Sequence, residues 1–435
     1  MVIRNHDGLM NILAIIDGSP GGARRHGVEV LKILSKYGHN ILVFEEPFHF
    51  NLESLHEIRG QGLLIHDINY EFQEICVKYN SNNILGILKG LYNFLINNNN
   101  IYCESLINEL INDLISRGIK FDVILDIHES GTSLIYALYL AKRLKAPIVK
   151  VLHNEPFRAL RWFGRGYRYV DGVYGLLEDS YVFIEHRLTK AVYEMAMKSG
   201  LLRGIASVSQ VPIYYSSVDK LAIKYGVRLR VYRYGNAYDK DLIYKYRNIH
   251  DKENYVIFYG RITPAKGIWD IIKVARHLND IDIVIFGPVS DRIKNKFLRN
   301  LPNNIKYMGY RPSDELYSSV AKAKVLIYPS HIDSFPLVVL ETLALGTSVV
   351  AYDIPAIRLI YGRLKPVHIV PEHNIKGLVN EAKKIMNMNL NEYAKEHEDA
   401  YTKRFLEEHS SWENVAKETM DFIYEVLGER SQEHP

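Results

Sequence analysis

Short apolar runs alternate with helical patterns along most of this chain, and this alternation constrains the fold more than any other feature. Each run has the length of a buried strand, and the spacing that follows it is typical of a helix with one apolar face. This order predicts βαβ units and parallel sheets. The predicted strands are 11–16, 41–44, 123–127, 148–152, 255–259, 283–286, 325–328 and 348–352, and the predicted helices include 28–37, 268–278, 314–321 and 337–345.

A segment of different composition separates the two series of units. Residues 231–254 are rich in Tyr, Asn, Asp and Lys and show no clear periodicity, which is typical of a linker. The chain has 435 residues, and at roughly 150 residues per domain this length favours two or three domains. We therefore predict two α/β domains of similar size, divided near residue 250.

Composition and charge exclude several classes of protein. With 47% hydrophobic and 24% charged residues, the chain is neither disordered nor fibrous. A net charge of +4 does not indicate a nucleic-acid-binding protein. Cys76 and Cys103 lack the spacing of a disulfide framework or a metal site and predict reduced thiols in a cytoplasmic protein. The apolar runs are too short to predict a membrane span.

In each predicted domain, a glycine-containing loop follows the first strand. The first, 17–26, contains Gly21 and Gly22 ahead of a helix, and the second, 260–267, contains Arg261 and Lys266. Glycines let backbone amides approach an anion, and a cation at a helix start is unfavourable unless an anion is bound there. The alternative interpretations are a tight turn in the first loop and two solvated cations in the second. Neither loop has a dinucleotide or P-loop fingerprint.

The segment 329–346 carries the sharpest chemical signal. Asp333 and Ser334 are residue types that cap helices, and Pro336 suits a first helical turn. The helix that follows is apolar on nearly every side, yet it contains Glu341. A buried carboxylate needs a hydrogen-bonding partner. That partner is either a pair of ligand hydroxyls or a cation of the scaffold.

Two histidines directly follow predicted strands in the first half of the chain. His128 and His153 would project from the carboxyl ends of their strands, where open α/β sheets bind ligands. Each is either a functional residue or a structural hydrogen-bonding residue. The choice stays open from the sequence, with His153 the stronger functional candidate.

Two further segments carry unusual patterns without a clear function. Residues 80–118 predict two apolar helices joined by an Asn-rich turn, and these either pack in the core or line an acceptor or membrane surface. Residues 158–168 interleave four Arg with aromatic residues. Such a segment either meets anionic headgroups or a phosphorylated acceptor, or forms a loop over the cleft.

These motifs together resemble those of the retaining GT-B glycosyltransferases of family 4. The second loop is similar to the family's G-R-x-x-x-x-K-G, and Asp333 with Glu341 resembles its E-x7-E element, with Asp replacing the first Glu. His153 matches the strand end that carries the family's active-site histidine. The resemblance implies two Rossmann-like domains with parallel sheets facing across a cleft. It also implies an acceptor-side domain over 1–250, a nucleotide-sugar domain over 251–408, and a helix crossing back within 409–435.

The resemblance also implies the roles of individual residues. Arg261 and Lys266 would hold the donor's diphosphate, and Asp333 would bind sugar hydroxyls; with His153 these are the predicted catalytic residues. The predicted donor-binding residues are Gly21, Gly22, Gly287, Tyr310, Phe335, Leu337 and Glu341. Glu341 would take the ribose hydroxyls. The two fixed cations imply that no cofactor and no essential metal is needed.

The predicted reaction is transfer of a sugar from a nucleotide-sugar donor to an acceptor hydroxyl with retention of configuration. The acceptor is a glycan, a lipid-linked molecule or a small molecule, and the predicted location is the cytoplasm with peripheral contact at a membrane. The alternatives are a GT-B nucleotide-sugar epimerase and a non-catalytic nucleotide-sugar-binding protein. A pyridine-nucleotide enzyme is disfavoured because the first loop lacks the dinucleotide fingerprint.

Overall fold

The computed structural model of the protein describes residues 9–18, 21–46, 111–112, 115–157 and 172–428, without the side chains of 45–46, 172–182 and 292. Cys76 and Cys103, the 158–168 segment and most of the 80–118 segment lie outside these residues. Among the described residues, no helix is long and apolar enough to span a bilayer.

The described strands form two parallel sheets of six strands each. The first sheet has the order β2-β1-β3-β4-β5-β6 and the second the order β12-β11-β10-β7-β8-β9. The strands are β1 Asn11–Asp17, β2 Asn40–Glu46, β3 Val123–Ile127, β4 Ile148–Leu152, β5 Leu202–Ser207, β6 Arg228–Val231, β7 Glu253–Tyr259, β8 Ile283–Phe286, β9 Ile305–Gly309, β10 Ala323–Tyr328, β11 Ser348–Tyr352 and β12 Val367–Val370. The prediction of two parallel α/β sheets is confirmed.

Helices connect these strands. In the first part of the chain they are α1 Gly22–Lys36, α2 Gly131–Leu144, α3 Gly172–Lys198, α4 Val218–Tyr225 and α5 Lys240–Tyr246. In the second part they are α6 Ile268–Ala275, α7 Asp291–Arg299, α8 Ser313–Lys322, α9 Leu337–Ala344, α10 Ile375–Asn387, α11 Leu390–His397, α12 Ala400–Glu408 and α13 Trp412–Leu427. The segment 231–254 therefore contains one helix, α5, whose first turn is capped by the Asp239 side chain.

The strand order places one switch point in each sheet. β1 lies between β2 and β3, and β7 lies between β10 and β8. Four inner strands, β3, β4, β10 and β11, are buried along their whole length, as expected for strands covered by helices on both faces. Ligands of open α/β sheets bind beyond the carboxyl ends of the strands at such switch points. In this chain those ends lead into the loops that follow β1, β3, β7 and β10.

The chain divides into two compact units. The first is formed by the described parts of residues 1–163, 180–235 and 412–435, and the second by those of 164–179 and 236–411. The last helix, α13, therefore returns to the first unit, where it packs against α1 and β5. Gly204 of β5 permits this approach, because a Cβ atom there would lie 2.4 Å from Val426 of α13.

Candidate functional site

The loop after β7 carries the two predicted diphosphate-binding cations. Arg261 is exposed, and none of the described residues forms an ion pair with it. Residues Pro264–Lys266 form one turn of 3-10 helix. Gly267 follows with φ +77° and is the cap residue before α6. A Cβ atom at Gly267 would lie 2.0 Å from the carbonyl oxygen of Pro329. Glycine at this position therefore lets the Lys266 loop lie directly against the loop that follows β10.

Contact between these loops brings Lys266 and Asp333 together. The Lys266 ammonium forms an ion pair with the Asp333 carboxylate, and the Tyr328 hydroxyl donates to the same carboxylate oxygen. Burial and the neighbouring Asp333 raise the pKa of Tyr328, so its hydroxyl stays protonated as a donor. Both members of the pair keep part of their side-chain surface exposed, 23% for Lys266 and 14% for Asp333. The pair is therefore held in place yet open to a ligand.

Asp333 does not cap the helix that follows it, which corrects the sequence-based assignment. α9 begins at Leu337 with Pro336 as its cap residue, and the Pro336 carbonyl accepts from Val339 and Leu340. The Asp333 carboxylate instead accepts from the Ser334 amide at 2.9 Å and from the groups described above. Its side chain is thus directed to the lysine loop. Leu337 is the first residue of α9, and the amides of the first turn of a helix have no hydrogen-bond partners within the helix.

Glu341 lies on α9 and is 6% exposed. The Tyr317 hydroxyl on α8 donates to its Oε1 at 2.8 Å. The sequence left the partner of this carboxylate open between a ligand and a scaffold cation, and the structure shows a tyrosine hydroxyl as one partner. A carboxylate has about four acceptor positions, so a diol can add to this bond.

Three strand ends meet beside the Arg261 loop. Gly287 follows β8 with φ +131°, and a Cβ atom there would lie 1.9 Å from the Gly260 carbonyl oxygen. The Gly287 amide donates to the Gly309 carbonyl at 2.8 Å. Tyr310 comes next and is 76% exposed. Residues 287 and 310 thus lie near each other at one edge of the second sheet.

In the first unit, His153 is buried among other histidines. It is 6% exposed, and its ring meets His26 of α1 edge-on, with centroids 4.4 Å apart. Its two ring nitrogens are buried and have no hydrogen-bond partner among the described residues. Burial, together with His26 and His128, holds the pKa of His153 well below its usual value. His153 is therefore a neutral imidazole with a donor and an acceptor to offer.

The other candidate site residues of the first unit lie in the loops that follow β1 and β3. Gly21 and Gly22 lie at the start of α1, where the Arg25 amide donates to the Gly21 carbonyl. His128 follows β3; its Nε2 lies 3.7 Å from Asp17, and its Nδ1 accepts from the Ser130 amide at 3.0 Å. His128 is thus fixed by the scaffold.

Sequence analysis missed several polar residues that the fold brings to these sites. Tyr317 and Tyr328 hold the two carboxylates, His26 packs on His153, and Lys150 forms a fully buried ion pair with Asp126. Only Lys150 had a local signal, a charge in the middle of an apolar strand. The others are recognisable only from the packing of distant elements.

Comparison with known proteins shows which family the second half of the chain is similar to. Residues 220–404 match the family model described as "Glycosyl transferases group 1". A processive diacylglycerol alpha-glucosyltransferase of Acholeplasma laidlawii is 30% identical over 166 residues, which are 35% of this chain and 50% of that protein. An alpha-galactosylglucosyldiacylglycerol synthase of Streptococcus pneumoniae is 24% identical, over 34% of this chain and 44% of that protein. The chain thus spans about half the length of the curated relatives it matches, or less.

Solved structures match over nearly the entire chain. A glycosyltransferase from Rickettsia africae ESF-5 aligns with TM-score 0.64 and 15% identity, covering 97% of this chain and 99% of that one. Anabaena Alr3699/HepE in complex with UDP-glucose aligns with TM-score 0.61 and 15% identity, covering 95% and 99%. These likenesses establish the GT-B fold. Within this fold, residues 220–404 are similar to the group 1 glycosyltransferase family.

Proposed function

We propose that the protein transfers a sugar from a nucleotide-diphosphate sugar to an acceptor hydroxyl, with retention of configuration and without an essential divalent metal. The observation that carries this proposal is the ion pair of Lys266 and Asp333, which two loops at the switch point of the second sheet hold in a partly open position. Both residues lie within the group 1 glycosyltransferase domain.

The pair changes partners when the donor binds. In its absence the two charges neutralise each other. A diphosphate offers Lys266 a doubly charged partner, and the sugar hydroxyls offer donors to the Asp333 carboxylate. Arg261, exposed on the same loop, adds a second cation to the diphosphate. The backbone amides of Phe335 and Leu337 face the phosphates.

Other residues of the second unit hold the nucleoside. Glu341 accepts hydrogen bonds from the ribose hydroxyls while the Tyr317 hydroxyl fixes one of its oxygens. Gly287 and Tyr310 border the base, where the absence of a Cβ atom at residue 287 leaves room against β7.

The chemistry depends on stabilising the leaving group. Cleavage of the anomeric C–O bond leaves an oxocarbenium-like sugar and a diphosphate of growing negative charge. Preorganised cations and amides aimed at that charge typically contribute roughly 3–4 kcal/mol each to transition-state stabilisation. Arg261 and Lys266 supply this charge without a metal ion.

His153 contributes from the first unit. Buried polar atoms are almost always hydrogen-bonded in native structures, so its two orphaned ring nitrogens indicate a missing partner. A sugar or acceptor hydroxyl, which both donates and accepts, fits a neutral imidazole. The acceptor is proposed to be lipid-linked or a glycan, since two of the similar proteins are named for glycolipid synthesis. We propose a cytoplasmic location, and a lipid-linked acceptor would bring the protein into peripheral contact with a membrane.

The decisive experiment measures donor binding and turnover in matched variants. A thermal-shift panel of UDP-, GDP- and ADP-sugars first identifies the donor, because a bound ligand raises the apparent stability of the native state. Arg261→Ala and Lys266→Ala should then each lower kcat at least ~10²-fold with folding intact. Lys294→Ala, which removes an exposed cation on α7 of the same unit, should leave kcat unchanged. Unchanged turnover in the two loop variants would refute their role at the diphosphate.

Two further measurements separate the alternatives. Turnover should persist in excess EDTA, and an absolute requirement for Mg²⁺ would contradict the metal-free mechanism. Products are also analysed with and without an acceptor. Interconversion of the nucleotide sugar alone would indicate an epimerase, and donor binding without any turnover would indicate a binding protein.

A further inference from the structure

A cluster of histidine and carboxylate side chains lies behind the Asp333 loop. Asp270 comes from the first turn of α6, His331 from the residues that follow β10, and His373 from the turn between β12 and α10. One ligand-type atom from each of the three lies within 4.8 Å of the others. Three separate segments of the second unit thus converge on one point.

The His331 ring has the environment of a metal-binding histidine. It is 2% exposed; its Nδ1 lies 2.8 Å from Glu372 Oε1, and its Nε2 lies 3.4 Å from Asp270 Oδ2. Histidines that bind metals generally use one nitrogen for the ion and donate the other N–H to a carboxylate, which fixes the tautomer and the ring orientation. Here Glu372 stands in the place of that carboxylate, and Nε2 faces the other candidate ligands.

The spacing of the groups suits a tetrahedral ion. With metal–ligand distances of about 2.0–2.1 Å, neighbouring ligand atoms of a tetrahedral zinc site are roughly 3.3 Å apart. The Nε2···Oδ2 separation of 3.4 Å is close to that value. The His331 and His373 rings are adjacent, with centroids 4.9 Å apart and planes inclined at 28°.

Two neighbouring side chains hold the Asp270 carboxylate in place. The Lys273 ammonium donates to Oδ1 at 2.8 Å, and the Tyr352 hydroxyl donates to Oδ2 at 2.9 Å. A carboxylate oxygen can accept more than one bond, so Oδ2 retains acceptor capacity.

The third ligand gives access from solvent. The His373 side chain is 52% exposed, whereas the His331 side chain is buried. An ion can therefore enter from the His373 side, where a water molecule can complete the coordination. His373 also has φ +68°, a left-handed backbone conformation that residues other than glycine rarely adopt.

We propose that Asp270, His331 and His373 bind a divalent transition-metal ion of the zinc class, with Glu372 orienting His331. Two imidazoles and one carboxylate favour zinc and similar ions over Mg²⁺, which prefers oxygen ligands in an octahedron. The ion ties the start of α6 to the loop that carries Asp333. The proposed role of the ion is structural, so the inference does not depend on the proposed function.

The test measures metal binding by the full-length protein after treatment with a chelator and dialysis. Titration calorimetry with ZnCl₂ should give one site per chain, and Co²⁺ should give the visible absorption of a tetrahedral ion. Zn²⁺ should also raise the melting temperature, because it binds the native state. MgCl₂ should do neither.

Variants assign the binding to these residues. His373→Ala removes an exposed ligand and should weaken zinc binding at least ~10-fold, and Glu372→Gln should weaken it by about 10–100-fold while leaving all three ligands. His250→Ala removes an exposed histidine before β7 and should bind as the wild type does. Absence of zinc binding by the wild type, or equal binding by His373→Ala, would overturn the proposal. Equal losses in His373→Ala and His250→Ala would also overturn it, because they would indicate adventitious surface binding.

Discussion

The buried pair of Lys150 and Asp126 allows the sharpest prediction about stability. The two residues are register partners on adjacent strands β4 and β3, and both side chains are fully buried. The Lys150 ammonium is ion-paired with the Asp126 carboxylate and donates to Ser133 Oγ at 3.0 Å. Substituting Lys150→Met keeps an unbranched side chain, one atom shorter, and removes its charge. Asp126 is then left in the core without a counter-ion.

The expected cost follows from that unpaired carboxylate. Removing one partner of a buried ion pair typically costs about 3–5 kcal/mol. At 2–4 °C per kcal/mol for a unit of this size, the melting temperature should fall by roughly 6–20 °C. Burial already raises the pKa of Asp126, and Lys150 opposes that rise. In the variant the folded-state pKa rises further, so the penalty should shrink as the pH is lowered and the carboxyl takes up a proton.

Urea and thermal unfolding measure the loss, and hydrogen exchange in peptides covering β3 and β4 assigns it to the first unit. The matched control is the double variant Asp126→Asn/Lys150→Met, which leaves no buried charge and should recover most of the lost stability. A loss below about 1 kcal/mol in Lys150→Met, the level of a surface ion pair, would refute the reasoning. So would a double variant no more stable than the single one.

Two further predictions concern the second unit. His368 lies between two glutamates; burial lowers its pKa, but these partners outweigh burial and raise it above 6.5. The stabilising contribution of His368 is therefore fully present below about pH 6.5 and is lost as pH rises through the folded-state pKa. The stability difference between wild type and His368→Gln should shrink from acid to alkaline pH. A difference in urea unfolding that stays constant with pH would contradict this. Gly267→Ala should cost more than the roughly 1–2 kcal/mol of left-handed backbone alone and should weaken donor binding, because the new Cβ meets Pro329. Gly428→Ala has the same φ of +77° with open space around it, so equal losses of stability in the two variants would rule out the steric explanation.

The sequence by itself determined the elements and the class of fold. The predicted strands at 123–127, 148–152, 283–286 and 348–352 have the bounds found in the structure. Each is a nearly continuous apolar run, and burial on both faces of a parallel sheet depends on little else. β6, with the sequence Arg-Leu-Arg-Val, was not predicted because it is an edge strand with partly exposed side chains. The interior strand β5 was also not predicted, because Arg203 and Gly204 interrupt its apolar run, whereas the edge strand β2 was predicted from its apolar residues.

Only the tertiary structure decided which polar groups meet. The Lys266 loop was recognisable from its pattern, but its pairing with Asp333 follows from a glycine that fits against Pro329. The partner of Glu341 is a tyrosine 24 residues away, and the Asp270 cluster joins three separate segments. Helical and strand patterns act over a few residues and can be read locally. Contacts between side chains of different loops depend on which strands are neighbours in the sheet. The order of the strands is fixed only when the whole sheet is packed.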